Sequence, residues 1–86
     1  MISIKVIFFA SFKELLGCSS INVELDRGTK IVELCAILAL KGDNWSDLFI
    51  QAKKKVKVAC NQQMAEMSTV LQANDEVAFF PPVTGG

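Results

Sequence analysis

Histidine is absent from this chain of 86 residues, and with it the side chain that most often serves as a general base near neutral pH. A self-contained hydrolase is hard to build from what remains. Cysteine is scarce: Cys18, Cys35 and Cys60 are odd in number, widely spaced and form no C-x-x-C pair. A disulfide framework or a structural zinc site is therefore not expected, and reduced thiols in the cytosol are the simpler reading. Net charge is lacking too, because nine basic residues offset nine acidic ones. Phosphate binding needs a basic surplus, so nucleic acid is not expected as the main ligand, and there is no polybasic membrane anchor. The apolar runs are far shorter than a membrane span. The opening Met1–Phe12 is apolar, but it has Lys5 inside the run, lacks a basic leader and alternates like a strand, so a signal peptide is not expected. Neither a phosphate-cradling glycine loop nor a nucleophile–base pair is found.

What is present is mostly apolar. Half the chain, 51%, is hydrophobic, which makes it globular and not disordered. Its length fits one domain, and a domain this small buries only a little over ~60% of its unfolded surface. So high an apolar content over so modest a core hints that some apolar surface is kept for a partner.

Periodicity divides the chain into short elements. Ile2–Phe9 reads as a strand, with Ile4, Val6 and Phe8 on one parity and Ser3, Lys5, Ile7 and Phe9 on the other. The parity of Ser3 and Lys5 should face water, which puts Phe9 on the wrong side for a core residue. Ala10–Leu16 reads as a short helical turn closed by Gly17. Ile21–Leu25 is a second strand, antiparallel to the first, with Ile21, Val23 and Leu25 inward. After the Arg27-Gly28 turn, Thr29 is the expected N-cap of the main helix, which runs to about Leu40. Ile31, Leu34, Cys35 and Leu38 form its apolar stripe, and Ile37 widens it. Asn44–Ala52 reads as helical or irregular, anchored by Trp45, Leu48 and Phe49. Val56–Cys60 is a third strand, Asn61-Gln62-Gln63 a turn, Met64–Met67 a short edge strand, Ser68–Leu71 a helical turn, Asn74-Asp75 a turn and Glu76–Phe80 the last strand. The order predicts an α+β fold: a sheet of four to five strands with one main helix packed across one face.

The end of the chain is the part with chemistry in it. Pro81 and Pro82 cannot donate ladder hydrogen bonds, so the strand must stop at Phe80. They also favour an extended course. The expected division is a folded domain over residues 1–80 and an extended tail over 81–86. Six residues follow Phe80, and they reach at most roughly 20 Å at ~3.3–3.6 Å each. Gly85 and Gly86 lack Cβ atoms, so such a tip can pass through a narrow channel and place a terminal carboxylate in another protein's active site. A carboxylate is a poor electrophile and needs activation, typically as an acyl-adenylate made from ATP. Nothing else in the chain could perform that activation, so the enzyme must be a partner. A frayed, inert end is the bland alternative.

The ending Asp75-Glu76-Val77-Ala78-Phe79-Phe80-Pro81-Pro82-Val83-Thr84-Gly85-Gly86 resembles that of the molybdopterin synthase small-subunit family. Ile4–Ala10 followed by Lys13-Glu14-Leu15 is similar to that family's opening, K-V-x-F-F-A…x-E-L, and Ala59-Cys60-Asn61-Gln62 to its A-V-N turn. The likeness covers both ends and the third strand and is thin between Gly42 and Lys55. It implies a ubiquitin-like β-grasp fold in which the first and last strands are central neighbours, a pairing that spacing alone cannot establish. It also implies a non-catalytic sulfur carrier. An E1-like adenylyltransferase would activate Gly86 with Mg-ATP, and a sulfurtransferase would convert it to a thiocarboxylate. The tail would then donate sulfur to cyclic pyranopterin monophosphate inside the large subunit, which supplies the catalytic groups in a heterotetramer of two small and two large subunits. No cofactor would be bound permanently; AMP and 1-thioglycine would be transient covalent states of Gly86, and no metal site is implied.

Phe9 and Phe80 share the polar-side parity of their strands, and Met64 could join them. Either that face packs under a loop, or it is an exposed apolar patch at the base of the tail that docks partners. The resemblance places these positions, with Pro81, Pro82, Val83 and Thr84, in the family's docking surface. Lys53, Lys54, Lys55 and Lys57 form a basic run, either a solvated face or a contact with an acidic partner. Cys35 and Cys60 fall on inward parities, Cys18 lies near a loop, and Trp45 reads as a packing anchor. Three other functions fit a Gly-Gly ending: sulfur transfer for thiamin or tRNA thiolation, ubiquitin-like modification of other proteins, and a plain interaction domain.

Overall fold

Apolar residues at alternating positions build a sheet, and apolar residues at helical spacing cover one side of it. The computed structural model describes residues 1–51 and 56–82. The elements are β1 (Ile2–Phe8), α1 (Ser11–Leu16), β2 (Ser20–Leu25), α2 (Ile31–Ala39), α3 (Asp43–Ser46), a π-helical turn (Asp47–Gln51), β3 (Lys57–Cys60), β4 (Gln63–Met64) and β5 (Glu76–Phe80). Among the described residues no helix is long and apolar enough to cross a membrane.

The five strands form one mixed sheet in the order β2-β1-β5-β3-β4. β1 pairs antiparallel with β2, from Ile2 opposite Leu25 to Ile7 opposite Ser20. It pairs parallel with β5, from Lys5 opposite Glu76 to Phe8 opposite Phe79. β3 runs antiparallel to β5, and β4 antiparallel to β3. The first and last strands are therefore central neighbours, and the architecture is the β-grasp.

Ile2, Ile4, Val6 and Phe8 of β1, Leu25 of β2, Val58 of β3 and Val77 and Phe79 of β5 are buried on one face. Ile31, Leu34, Cys35 and Leu38 of α2 cover them, together with Phe12, Leu48, Phe49, Val56 and Leu71. Four aromatic rings meet at the centre. Phe49 stands edge-on to Phe79 at 5.0 Å and Trp45 edge-on to Phe8 at 5.4 Å, while Phe8 and Phe79 stack at 6.3 Å. Edge and offset geometries of this kind satisfy the ring quadrupoles. Trp45 is thus a packing anchor, half-buried against Phe8. Cys35 lies in the core, and Cys18 and Cys60 are half-buried beside it.

Several local expectations are corrected. The main helix begins at Ile31, and Thr29 is not its N-cap. The Thr29 hydroxyl donates backwards to the Asp26 carbonyl at 2.7 Å, closing the turn at Gly28, where φ is +85°. Lys30 holds the N-cap position, and its N–H donates to the Glu33 carboxylate at 3.0 Å. The orphan N–H groups of Ile31 and Val32 donate to the carbonyls of Thr69 and Met67. That demand explains a second correction. The segment around Ser68–Leu71 is not a helical turn; a tight turn at Met67-Ser68, closed by the Thr69 N–H on the Glu66 carbonyl, leads into Val70, which forms a β-bridge with Lys30. Ile37 does not widen the buried stripe, because it faces outward at 42% exposure. β4 is shorter than expected, pairing only at Gln63 and Met64. Lys53, Lys54 and Lys55 lie outside the described residues; Lys57 is exposed.

Phe79 is fully buried between Phe8 and Phe49. Phe79→Ala should destabilise the fold by about 3–5 kcal/mol, read from the midpoint of urea unfolding. A loss under ~1 kcal/mol would mean that the aromatic centre can collapse around the gap.

Candidate functional site

The helices cover one face of the sheet, so the residues of opposite parity are left on the other. Strand register sets which of them are neighbours. Ile7 of β1 is opposite Ala78 of β5, Ala78 is opposite Ala59 of β3, and Ala59 is opposite Met64 of β4. Directly opposed residues point to the same side. One apolar row, Ile7–Ala78–Ala59–Met64, therefore crosses four adjacent strands. Phe9 and Phe80 each follow the paired residues Phe8 and Phe79, and the Phe9 N–H still donates to the Phe79 carbonyl at 3.2 Å. They stand one step further along, above Lys57, which is opposite Phe80. Met64 is 68% exposed and Phe9 50%, while Phe80 is half-buried. Lys5, Lys57 and Glu76 form a charged rim.

The patch lies at the edge from which the tail departs. β1 and β5 are parallel, so Phe8 and Phe80 end at the same edge of the sheet. Pro81 and Pro82 follow and are half-buried. Val83, Thr84, Gly85 and Gly86 lie outside the described residues. The structure thus brings together Phe9, Met64 and Phe80, as parity suggested. It adds Ile7, Ala59 and Ala78, which sequence reading did not single out. Parity alone marked Ile7 and Ala78 as outward, but only register joins them to Ala59 and Met64.

The hairpin that presents Met64 has its own lock. Asn61 and Gln62 form its two-residue loop, both with positive φ, +53° and +70°. This is the condition of a type I′ turn, which suits the twist of the strands. The Asn61 side chain donates from Nδ2 to Asp75 Oδ1 at 2.9 Å, and its Oδ1 accepts from the Glu76 N–H at 3.0 Å. The Asn61 N–H donates to the Glu76 carbonyl at 2.8 Å. Asp75 Oδ2 accepts from the Gln72 N–H at 2.7 Å. The hairpin and the start of β5 are therefore tied in one register. Burial works against the Asp75 carboxylate, but hydrogen bonds from the Gln72 N–H, the Asn61 amide and the Cys60 thiol outweigh it and hold its pKa below the usual value. Burial and the neighbouring Asp75 charge push the Cys60 thiol up to about 11. Cys60 is thereby held as the thiol at neutral pH.

A β-grasp body with an apolar sheet face beside the edge where the chain leaves β5, in a sequence ending Gly-Gly, matches a class of small carrier and modifier proteins. The ThiS family model matches residues 6–86. The chain is 41% identical over 83 residues to the molybdopterin synthase sulfur carrier subunit of Haemophilus influenzae, covering 96% of this chain and 99% of that one. In structure it is similar to SAMP1 of Haloferax volcanii, with a TM-score of 0.83 at 24% identity over 98% and 99% of the two chains. It is also similar to a chain in the complex of subunits 1 and 2 of the molybdopterin-converting factor from Helicobacter pylori, with a TM-score of 0.68 at 23% identity over 99% and 100%. The chain belongs to the ThiS family, alongside the sulfur carrier subunits of molybdopterin synthase.

Asp75→Ala should cost about 1–3 kcal/mol at neutral pH, because it strands the Asn61 amide and the Gln72 N–H. The sign with pH follows from the lowered native pKa. The stabilisation is complete above the unfolded value of ~3.9 and fades as pH falls through the native one. Urea unfolding of wild type and variant should show the gap between them closing on the acid side. A gap that is constant with pH would mean that the carboxylate charge plays no part.

Proposed function

We propose that this chain is the sulfur-carrier subunit of a molybdopterin synthase and that Gly86 bears the transferable sulfur. The observation that most supports this is the coincidence of the apolar row with the edge where the tail leaves the sheet. A partner that grips Ile7, Phe9, Met64 and Phe80 is thereby placed to receive the chain beyond Pro81 and Pro82. Aromatic and methionine side chains ringed by charge are the usual anchors of such contacts. The body has no group able to activate its own terminus, which leaves activation to another protein.

In this reading a Gly86 carboxylate oxygen attacks the α-phosphorus of Mg-ATP on an E1-like adenylyltransferase, and pyrophosphate leaves. A sulfurtransferase then delivers sulfur to the acyl carbon, the C–O bond to AMP breaks, and a thiol reductant brings the delivered persulfide sulfur to the sulfide level, leaving a thiocarboxylate. AMP and 1-thioglycine are transient states of Gly86, and no resident cofactor is required. A glycine at position 85 suits a slim tip, and Pro81, Pro82, Val83 and Thr84 are the tail residues assigned to partner contact. Each loaded tail enters a large subunit, whose residues transfer its one sulfur to cyclic pyranopterin monophosphate and return a Gly86 carboxylate, so two loaded tails supply the two sulfurs of the molybdopterin dithiolene. Two small and two large subunits would form the working heterotetramer. A cytoplasmic setting fits the cysteines, which form no disulfide among the described residues.

Mass spectrometry of protein from its own cells should find the last peptide heavier by the difference between sulfur and oxygen. Deleting Gly86 should abolish that gain and leave the unfolding midpoint unchanged. Thiocarboxylated protein mixed with a synthase large subunit should convert the cyclic pterin precursor. No product would remove the molybdopterin assignment, and ATP-dependent ladders of isopeptide-linked proteins would point to a modifier instead. Phe80→Ala should weaken large-subunit binding by ~1–4 kcal/mol; unchanged affinity with lowered stability would make Phe80 a core residue.

A further inference from the structure

The turn that leads out of β1 has a backbone shape that its residue does not favour. Ala10 has φ 54° and ψ −131°. The Phe12 N–H donates to the Phe9 carbonyl at 3.1 Å, and Ser11 is already helical, so Phe9–Phe12 form a tight turn with Ala10 at its first central position. In a type II′ turn this position belongs to glycine, because a Cβ crowds the backbone there. The other non-glycine residues with positive φ among the described ones are Asn61, Gln62 and Asn74. Asparagine tolerates such angles through local hydrogen bonds. Alanine has no such compensation, and conformations of this kind persist only where the surrounding structure over-determines them.

The surroundings show what imposes it. Within five residues the chain must bury Phe8, present Phe9 on the opposite face and bury Phe12, the core-facing residue of α1. The Phe9 N–H remains tied to Phe79, and the Ala10 carbonyl accepts from Lys13 to start α1. An Ala10 relaxed to negative φ would redirect the chain, and Phe9 would lose either its tie to β5 or its turn bond to Phe12. We propose that Ala10 is a positioning residue whose glycine-like turn holds Phe9 on the outer face in the orientation that a partner docks against. This inference rests on the docking reading of that face.

The test measures Tm and affinity for the large subunit of Haemophilus influenzae molybdopterin synthase, by calorimetric titration, in Ala10→Gly, Ala10→Val, Phe9→Ala and the Ala10→Val/Phe9→Ala double variant. Glycine accepts the observed angles, so Ala10→Gly should raise Tm by several degrees, with an affinity equal to or above wild type. Valine is all but excluded from positive φ. Ala10→Val should weaken binding roughly tenfold, as an anchor out of place would, and add less than about twofold once Phe9 is already alanine. A Tm that Ala10→Gly leaves unchanged or lowers overturns the inference, and so does an Ala10→Val penalty that persists in full in the Phe9→Ala background. The first criterion stands even if the valine variant does not fold. Normal binding by Phe9→Ala alone would instead remove the docking reading, and the inference with it.

Discussion

The parallel pairing of β1 with β5 is the constraint on which everything else rests. It joins the two ends of the chain at the middle of the sheet, with Val6 beside Val77 and Phe8 beside Phe79. Contacts so distant in sequence are costly in loop entropy and must be repaid by burial. The repayment is visible in the aromatic centre, where Phe79 touches rings from both the first strand and the π-helical turn. Because the two strands are parallel, they also finish at one edge. Phe9 and the point where the chain leaves β5 therefore share a corner of the sheet, and no separate element is needed to bring them together.

The same strands serve two faces. Alternation sends Phe8 and Phe79 inward and Phe9 and Phe80 outward, so each core contact fixes the position of an outer neighbour. The helices cover one side only, and the uncovered side holds an apolar row where a solvated antiparallel sheet would be polar. Under the proposed docking, its strength and fold stability are coupled by this arrangement, since a slip of one residue in register would exchange core and surface. The Asn61–Asp75 lock and the Ala10 turn sit at the two borders of that face, where the pairing would otherwise be easiest to disturb.

Reactivity is kept apart from this framework. The charged groups of the body are mostly exposed, Cys60 is held protonated, and Asp75 is committed to structure. In the proposed function, chemistry is left to a terminal acyl group that protein partners activate and use. Such a division suits a carrier, which must be bound in turn by different enzymes without itself catalysing a side reaction.

Much of this was legible in the sequence. Strand parity marked Phe9 and Phe80 as outward, helical spacing marked Ile31, Leu34, Cys35 and Leu38 as core, and Pro81-Pro82 marked the end of β5 at Phe80, because these are properties of neighbouring residues. The start of α2 was misplaced, since Thr29 looks like a cap until the carbonyls of Met67 and Thr69 are seen to satisfy Ile31 and Val32. Ile37 looked buried because a helical period cannot say how wide a stripe the sheet will cover. Ile7, Ala59, Ala78 and Met64 became one surface only through register, and the strain at Ala10 appears only when the burial of Phe8 and Phe12 is imposed together. The sequence by itself determined which residues alternate, cap and terminate. The tertiary structure decided which strands meet, because pairing energy depends on distant partners that local pattern does not encode.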